Sequence, residues 1–229
     1  MQAAILAGGL GERLRPATEK IPKPLVQVKG KPFLYYLLKM LSRYCIEKTL
    51  LLIGYKGELI EEYLKGCRDF HMKYYFSREP ELLGTGGALK LAEKKLDDEF
   101  ILLYGDSYLP IDYNDLADKF KRSGKLSMMA IYDNSINTFV KNNVNLEGSL
   151  ISAYDKNSQN ESFGYVEAGV LVFKKEAVNI IPAGKNVSLE AEMFPELIAS
   201  REMAHYVSKE RFYDIGTHER LKEFEAYIG

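Results

Sequence analysis

The sequence is poor in cysteine and contains no tryptophan. Its 229 residues include two cysteines, Cys45 and Cys67, which lack the Cys-x-x-Cys spacing of metal and redox sites. This argues against a disulfide framework and against a structural zinc site, and it fits a protein kept in a reducing cytosol.

Neither sign of charge is in excess, and long apolar runs are missing. The 31 lysines and arginines nearly balance 32 aspartates and glutamates, so the net charge is −1. Nucleic acid and anionic membranes are therefore not expected as partners. No apolar run approaches the ~20 residues of a membrane span, and no basic segment precedes the first apolar run as in a signal peptide. We expect a soluble, cytoplasmic protein.

Short apolar runs alternate with helix-periodic segments through the first part of the chain. The predicted strands are 3–6, 49–55, 72–77, 100–106 and 126–132, and the predicted helices are 33–44, 58–64, 84–95 and 112–122. This alternating order predicts a parallel sheet that is covered by helices on both faces.

The second part of the chain follows another pattern. It contains a hairpin at 142–154 that turns at Glu147–Gly148, strands at 165–173, 204–208 and 211–215, and helices at 189–200 and 221–228. The hairpin makes the predicted sheet mixed, although mostly parallel. We found no repeat, low-complexity segment or linker, so we predict one Rossmann-like α/β domain over residues 1–229.

A glycine-rich loop, "LAGGLGERLRP", follows the first predicted strand. Gly8, Gly9 and Gly11 let the backbone approach a phosphate, and Arg13 adds paired hydrogen-bond donors. The loop is not the dinucleotide fingerprint G-x-G-x-x-G, because Leu14 stands in the place of the third glycine, and no Gly-Lys-Ser/Thr follows as in a P-loop. A dinucleotide-dependent oxidoreductase is therefore disfavoured.

The stretch "LAGGLGERLRPATEKIPKPLV" resembles the signature of the sugar-1-phosphate nucleotidyltransferases, in which G-G-x-G-[ST]-R-L-x-P is followed by P-K-P-[LM]. Lys23 stands in the second motif, between two prolines that stiffen the backbone. The resemblance continues in "LGTGGAL" at 83–89, "YGDS" at 104–107, "YDK" at 154–156, "EAG" at 167–169 and "YDIGT" at 213–217. It implies a nucleotide-binding half, about 1–132, and a sugar-binding half, about 133–229.

The reaction implied by the resemblance joins a nucleoside triphosphate (NTP) and a sugar 1-phosphate to give an NDP-sugar and pyrophosphate. Arg13 would hold the β- and γ-phosphates, and Lys23 would act at the α-phosphate. Asp106, just past the apolar stretch "FILLYG", and Asp214 would bind Mg²⁺, which prefers one or two carboxylates with phosphate oxygens.

The resemblance also assigns residues to the two substrates. The nucleotide-binding candidates are Leu6, Ala7, Gly8, Gly9, Gly11, Glu79, Gly84 and Thr85, and the sugar or sugar-phosphate candidates are Lys156, Glu167 and Gly169. A carboxylate such as Glu79 can accept from N1–H and N2–H₂ of guanine together, whereas uracil offers one N–H donor. Around Lys156 the family motif E-K-P is replaced by Asp-Lys-Asn.

Several substrates and one non-enzymatic role stay open. The first hypothesis is GTP with a D-glycero-D-manno-heptose or mannose-type 1-phosphate, favoured by Glu79 and "GKPFL". The second is UTP with N-acetylmuramate 1-phosphate, favoured by "DIGTHERL", and a thymidylyl or glucose-specific enzyme is the third. A non-catalytic sugar-nucleotide sensor is the alternative of another class. Dimers are common in the family, which makes a homodimer a hypothesis for this chain.

Overall fold

A computed structural model describes residues 1–44, 46–136, 138, 140–156 and 162–229. Its strands are β1 Gln2–Ala7, β2 Gln27–Val28, β3 Lys31–Pro32, β4 Lys48–Ile53, β5 Lys73–Arg78, β6 Glu99–Tyr104, β7 Ser107–Tyr108, β8 Ser127–Tyr132, β9 Val144–Glu147, β10 Leu150–Tyr154, β11 Val166–Lys174, β12 Met203–Ser208 and β13 Tyr213–Asp214. Its α-helices are α1 Phe33–Ser42, α2 Gly57–Gly66, α3 Gly84–Leu91, α4 Tyr113–Ser123, α5 Phe194–Ala199 and α6 His218–Ile228.

Nine strands form one central sheet in the order β5-β4-β1-β6-β11-β8-β12-β10-β9. Only β10 and β11 run against the other seven strands of this sheet. The predicted α/β class with a mixed, mostly parallel sheet is confirmed. The predicted hairpin is also present, as β9 and β10 joined at Gly148 and Ser149.

Helices cover both faces of the sheet. Successive side chains of the central strands point to opposite faces, so each strand contributes to two core layers. In β1, Ala3 and Ile5 pack into the core layer that includes α1, α2, α4 and α6, whereas Ala4 packs into the layer that includes α3 and α5. All three side chains are fully buried. A strand buried on both faces needs a continuous apolar run, which is why the sequence pattern identified β1.

A separate ribbon of two strands, β7 and β13, lies just past the carboxyl end of β6. Ser107 pairs with Asp214, and the Ile215 amide donates to the Asp106 carbonyl at 2.9 Å. The sequence placed a longer strand at 211–215 but did not predict its partner. This ribbon brings together two segments that are more than a hundred positions apart.

Two predicted helices differ in detail from the observed ones. The segment 189–200 begins as a π-helical turn, Leu189–Met193, before α5. Pro195 lacks an amide hydrogen and cannot continue an α-helical ladder from the preceding residues. The last helix begins at His218 rather than 221, because the Thr217 side chain caps it by accepting from the Arg220 amide.

Three further expectations concern the whole chain. Among the described residues, no helix is long and apolar enough to cross a membrane. Cys67 is a free, half-buried thiol, whereas Cys45 lies outside the described residues. The division into a nucleotide half and a sugar half stays a prediction.

Candidate active site

The glycine-rich loop leaves β1 at its carboxyl end and turns back sharply. Gly11 adopts a φ of +65°, which a residue with a side chain rarely takes. Its carbonyl accepts from the Thr18 hydroxyl at 2.8 Å and from the Leu14 amide at 3.0 Å. Leu14 is fully buried, so it anchors the loop while its neighbour Arg13 stays exposed. The loop is therefore held in place from below and presents its backbone and Arg13 outward.

A cavity of about 680 Å³ opens above this loop. The sequence-predicted residues that line it are Leu6, Ala7, Gly8, Gly9, Gly11, Arg13, Lys23, Glu79, Gly84, Thr85 and Asp106. These residues come from separate segments of the chain, and the parallel strands bring them to one edge of the sheet. Asn186 and Gly216 from the second part of the chain also line the cavity.

Glu79 lines the cavity and packs against two glycines. Its Oε2 accepts from the Leu83 amide at 3.0 Å. Its Oε1 occupies space that a side chain at Gly8 or Gly54 would fill. Burial raises the pKa of the Glu79 carboxyl, and the Leu83 amide only partly offsets that effect. The Leu83 amide thus fixes one oxygen of the Glu79 carboxyl. The carboxyl can pack this closely only because Gly8 and Gly54 have no side chains.

Lys23 and Asp106 form a close ion pair inside the cavity. The Lys23 Nζ lies 2.5 Å from Asp106 Oδ2, and the Ser107 hydroxyl donates to Oδ1 at 3.2 Å. Burial by itself would raise the pKa of Asp106, but the Lys23 ammonium outweighs it and holds that pKa below its usual value. The carboxylate is therefore charged, and a cation of the protein neutralises it.

Asp214 is held in a similar way on the neighbouring strand of the ribbon. Its Oδ1 accepts from the Gly216 amide at 2.6 Å, and its Oδ2 accepts from Arg220 at 2.9 Å. A β-carbon added at Gly216 would lie 3.5 Å from an Arg13 nitrogen, so the Arg13 guanidinium reaches this region too. The two predicted metal-binding carboxylates are thus adjacent in the fold, as Asp214 pairs with the residue after Asp106.

A second polar cluster, the Glu190 network, lies at the edge of the cavity. The members whose side chains contact the Glu190 carboxylate are Thr85 at 2.9 Å, Tyr104 at 2.9 Å, Lys156 at 3.1 Å and Ser188 at 2.8 Å. Burial alone would raise the pKa of Glu190, but the Lys156 ammonium, a backbone hydrogen bond and the Ser188 hydroxyl lower it to about 2. The predicted residues Thr85 and Lys156 therefore meet at a carboxylate that sequence reasoning missed.

Glu167 lies close to this network and has one unpaired oxygen. Tyr154 donates to its Oε2 at 3.3 Å, whereas Oε1 is buried without a hydrogen-bond partner among the described residues. Burial, and then the negative charge of Glu190, raise the pKa of Glu167 to about 7. Such an oxygen suits a hydrogen-bond donor of a ligand, because an unpaired buried polar atom is costly.

Two predicted glycines have a structural reason that the sequence did not suggest. Gly169 adopts a φ of +77°, and a β-carbon there would lie 2.5 Å from that of Ser107. Gly84 packs in the same manner against the backbone of Val187, whose carbonyl also accepts from the Gly86 amide at 2.8 Å. The missing side chains of Gly169 and Gly84 therefore allow close packing against Ser107 and Val187. This packing requirement is independent of any contact that the two glycines make with a ligand.

Sequence reasoning missed Glu190, Tyr104, Asn186 and Arg220. Tyr104 belongs to the "YGDS" motif, which drew attention to Asp106 alone. Glu190 resembles an ordinary acidic residue in the first turn of a helix, so no pattern in the sequence singles it out. The roles assigned to the predicted residues stay predictions, although the geometry brings most of them to one cavity.

Comparisons with known proteins identify the family of the chain. The profile of the family described as "Nucleotidyl transferase" matches residues 2–228. The chain is 32% identical to D-glycero-alpha-D-manno-heptose 1-phosphate guanylyltransferase of Campylobacter jejuni over 98% of each chain. It is 29% identical to the protein of that name from Aneurinibacillus thermoaerophilus over 100% of each.

A solved structure with a similar fold is HddC from Yersinia pseudotuberculosis complexed with GMP-PN. It superimposes with a TM-score of 0.85 at 28% identity, and the match covers 100% of this chain and 99% of the other. Together with the profile match over nearly all residues, these similarities show that the chain belongs to the nucleotidyl transferase family and is a sugar-1-phosphate nucleotidyltransferase.

Proposed function

We propose that the chain transfers a guanylyl group from GTP to a heptose or mannose-type 1-phosphate and releases pyrophosphate. The observation that carries this proposal is the convergence of the glycine-rich loop, the Lys23–Asp106 pair and Glu79 in one cavity. The names of the C. jejuni and A. thermoaerophilus relatives support it. The reaction would take place in the cytoplasm.

The choice of GTP is supported by the position of Glu79. Its Oε2 is already bound to the Leu83 amide, and both carboxylate oxygens can accept further bonds from N1–H and N2–H₂ of guanine. Uracil has no second donor for this pair of oxygens. Burial of the carboxyl strengthens the discrimination, since an oxygen left without a donor there is penalised more than one in water.

The choice of a neutral sugar is supported by charge. Glu167 and Glu190 lie close together, and Lys156 is the cation that contacts Glu190. N-acetylmuramate carries a carboxylate of its own, which the charged Glu190 would repel and which Glu167 would repel once the pH exceeds its raised pKa. A heptose or hexose offers only hydroxyl groups, and one of them can donate to the unpaired Oε1 of Glu167.

The reaction follows from the charges of the substrates. An oxygen of the sugar phosphate attacks the α-phosphorus of GTP, a new P–O bond forms, and the bond from that phosphorus to the bridging oxygen of pyrophosphate breaks. The attacking oxygen is already an anion, so no strong base is needed. Lys23 would stabilise charge at the α-phosphate, and Arg13 would stabilise the departing pyrophosphate.

The donor set at the ribbon fits Mg²⁺. Asp214 lies in β13 opposite Ser107, the residue after Asp106, so the two carboxylates are adjacent. Mg²⁺ is usually bound by one or two carboxylates together with substrate phosphates. Among the described residues there is no cluster of three or more histidine, cysteine, aspartate or glutamate side chains that could enclose a metal without a substrate. When bound, the ion would neutralise phosphate charge as a Lewis acid.

Pyrophosphate release tests the proposal. The purified chain is assayed with each of four NTPs against heptose, mannose, glucose and N-acetylmuramate 1-phosphates. We expect the highest kcat/KM with GTP and the heptose or mannose ester. Preference for UTP with N-acetylmuramate 1-phosphate would overturn the assignment. No turnover with any pair, together with tight binding of an NDP-sugar, would favour the sensor.

A further inference from the structure

We propose that Arg220 is a positioning residue that keeps Asp214 from binding a divalent cation until a nucleotide arrives. The inference rests on the proposed role of Asp214 in binding Mg²⁺. Both oxygens of this carboxylate are engaged by the protein, Oδ1 by the Gly216 amide and Oδ2 by the Arg220 guanidinium at 2.9 Å.

The Asp214–Arg220 pair is well shielded from water. The side chains of Arg220 and Asp214 are only 23% and 13% exposed, so the attraction between their charges is screened less than on an open surface. A divalent cation that approaches Oδ2 must displace the guanidinium from it. Arg220 therefore competes with the metal for the same oxygen and does not merely orient the carboxylate.

The other candidate carboxylate shows the same pairing, because Asp106 is neutralised by Lys23. Each of the two carboxylates thus contacts a cation of the chain itself. A bare divalent ion would gain little by binding here, since it would have to displace two ion pairs and would leave both cations without a counter-charge.

A nucleotide would offer a new partner to the guanidinium group of Arg220 and to that of Arg13 beside it. A β-carbon placed at Gly216 would lie 3.5 Å from an Arg13 nitrogen and 3.7 Å from an Arg220 nitrogen, so both guanidinium groups lie against a residue that lines the cavity. Phosphate oxygens bind guanidinium groups in pairs. As the triphosphate attracts Arg220, Asp214 is released for the metal, and the two binding events become coupled.

Binding of Mn²⁺, used in place of Mg²⁺ and followed by electron paramagnetic resonance, tests this coupling. Wild type, Arg220→Gln and Arg220→Lys are titrated without nucleotide and again with GTP but no sugar phosphate. We expect Arg220→Gln to bind Mn²⁺ about tenfold more tightly than wild type without nucleotide. GTP should then strengthen Mn²⁺ binding less in this variant than in wild type.

Two controls make the outcome decisive. Arg220→Lys keeps the charge, so its affinity for Mn²⁺ should stay near that of wild type. The double variant Arg220→Gln with Asp214→Asn should lose the tighter Mn²⁺ binding that Arg220→Gln shows alone. Unchanged or weaker Mn²⁺ binding by a folded Arg220→Gln protein would overturn the inference. The nucleotide-free titration does not depend on the base or the sugar, so a failure of GTP in the turnover assay would refute the proposed function alone.

Discussion

At the scale of single residues, the two carboxylates proposed to bind the metal and the nearby Glu190 are each matched by a basic group. Lys23 contacts Asp106, Arg220 contacts Asp214, and Lys156 contacts Glu190. We expect each pair to rearrange when a substrate or metal ion binds. Single substitutions therefore report on the chemistry only if they preserve shape while they change charge.

Asp106→Asn is such a substitution. The amide oxygen can still accept from Lys23, so we expect a loss of stability of no more than about 2 kcal/mol. The loss of charge at a position assigned to Mg²⁺ should lower kcat about 10²–10³-fold. Turnover and thermal unfolding are measured on the same preparation. Full activity would show that Asp106 does not bind the metal.

Glu79→Gln tests base recognition. A glutamine offers one acceptor and two donors in place of two acceptors, so kcat/KM for GTP should fall by about 10–100-fold, the equivalent of ~1–3 kcal/mol for a lost bidentate contact to a base. The value for UTP should change less. Glu81→Gln, at an exposed position two residues further along the same loop, is the matched control. An equal loss for both NTPs would argue against Glu79 as the guanine contact.

Glu167 predicts a dependence of stability on pH. The folded protein retains the proton of this carboxyl up to about pH 7, whereas the ordinary pKa is 4.5. The folded state therefore binds more protons between these values, and stability falls as the pH rises through that window. Glu167→Gln should remove the effect, so its stability relative to wild type should rise by ~3 kcal/mol between about pH 4 and about pH 8.

Urea unfolding of wild type and Glu167→Gln at a series of pH values measures this difference. The exposed Glu62→Gln variant is the control, and its stability should stay parallel to that of wild type at every pH. If the difference in unfolding free energy between Glu167→Gln and wild type does not grow with pH, the Glu167 carboxyl is ionised throughout and its pKa is not raised.

At the scale of elements, the site depends on how β11 passes the β7–β13 ribbon. The pairing of β11 with β8 shifts register between Glu167 and Leu171, and Gly169 lies in this interval. Its positive φ and its contact with Ser107 place the bulge directly against the strand that follows Asp106. A change in β11 can therefore affect the carboxylates proposed to bind the metal without touching a ligand.

Gly169→Ala should reveal this connection. A β-carbon at this position meets Ser107 and also requires a strained φ, so we expect a loss of more than ~2 kcal/mol in stability and a lower kcat. Gly148→Ala is the matched control, because Gly148 has a φ of +60° but no neighbour within 4 Å of an added β-carbon. In Gly148→Ala only the strained φ should lower the stability. Equal losses of stability in the two variants would exclude an effect of the Ser107 contact.

The elements differ in how far the sequence determined them. Strands such as β1 and β6 were predictable because burial on both faces demands continuous apolar residues. The β7–β13 ribbon has two residues in each strand, too few for any periodicity. The glycine loop and Lys23 were found through their local motifs, whereas Arg220 and Glu190 became visible only when the fold placed them beside Asp214 and Lys156.

At the scale of the whole molecule, both parts of the chain contribute to one cavity. Val187 accepts from the amides of Gly86 and Gly87 at the start of α3, and Asn186 and Gly216 line the cavity beside the glycine loop. A ligand in the cavity therefore contacts segments from both sides of the predicted boundary near residue 132. Its binding should stabilise the molecule as a whole.

Thermal unfolding with each NTP tests this. A ligand at a hundred times its Kd adds ~2.7 kcal/mol to the stability of the state that binds it, which corresponds to about 5–10 °C in Tm for a chain of this size. We expect the largest shift with GTP and Mg²⁺. A larger shift with UTP than with GTP would contradict the guanine assignment. The hypothesis of a homodimer is tested separately, by light scattering.

The ribbon that joins Ser107 to Asp214 also has a consequence for engineering. Any single break in the backbone between Ser107 and Asp214 leaves Asp106 on one fragment and Asp214 on the other. The exposed turn at Gly124, between α4 and β8, is a suitable place for such a break. Two fragments divided there would be inactive apart, and turnover would return only when β11 of one fragment pairs again with β6 of the other. The enzyme could thus serve as a split reporter for the association of fused proteins.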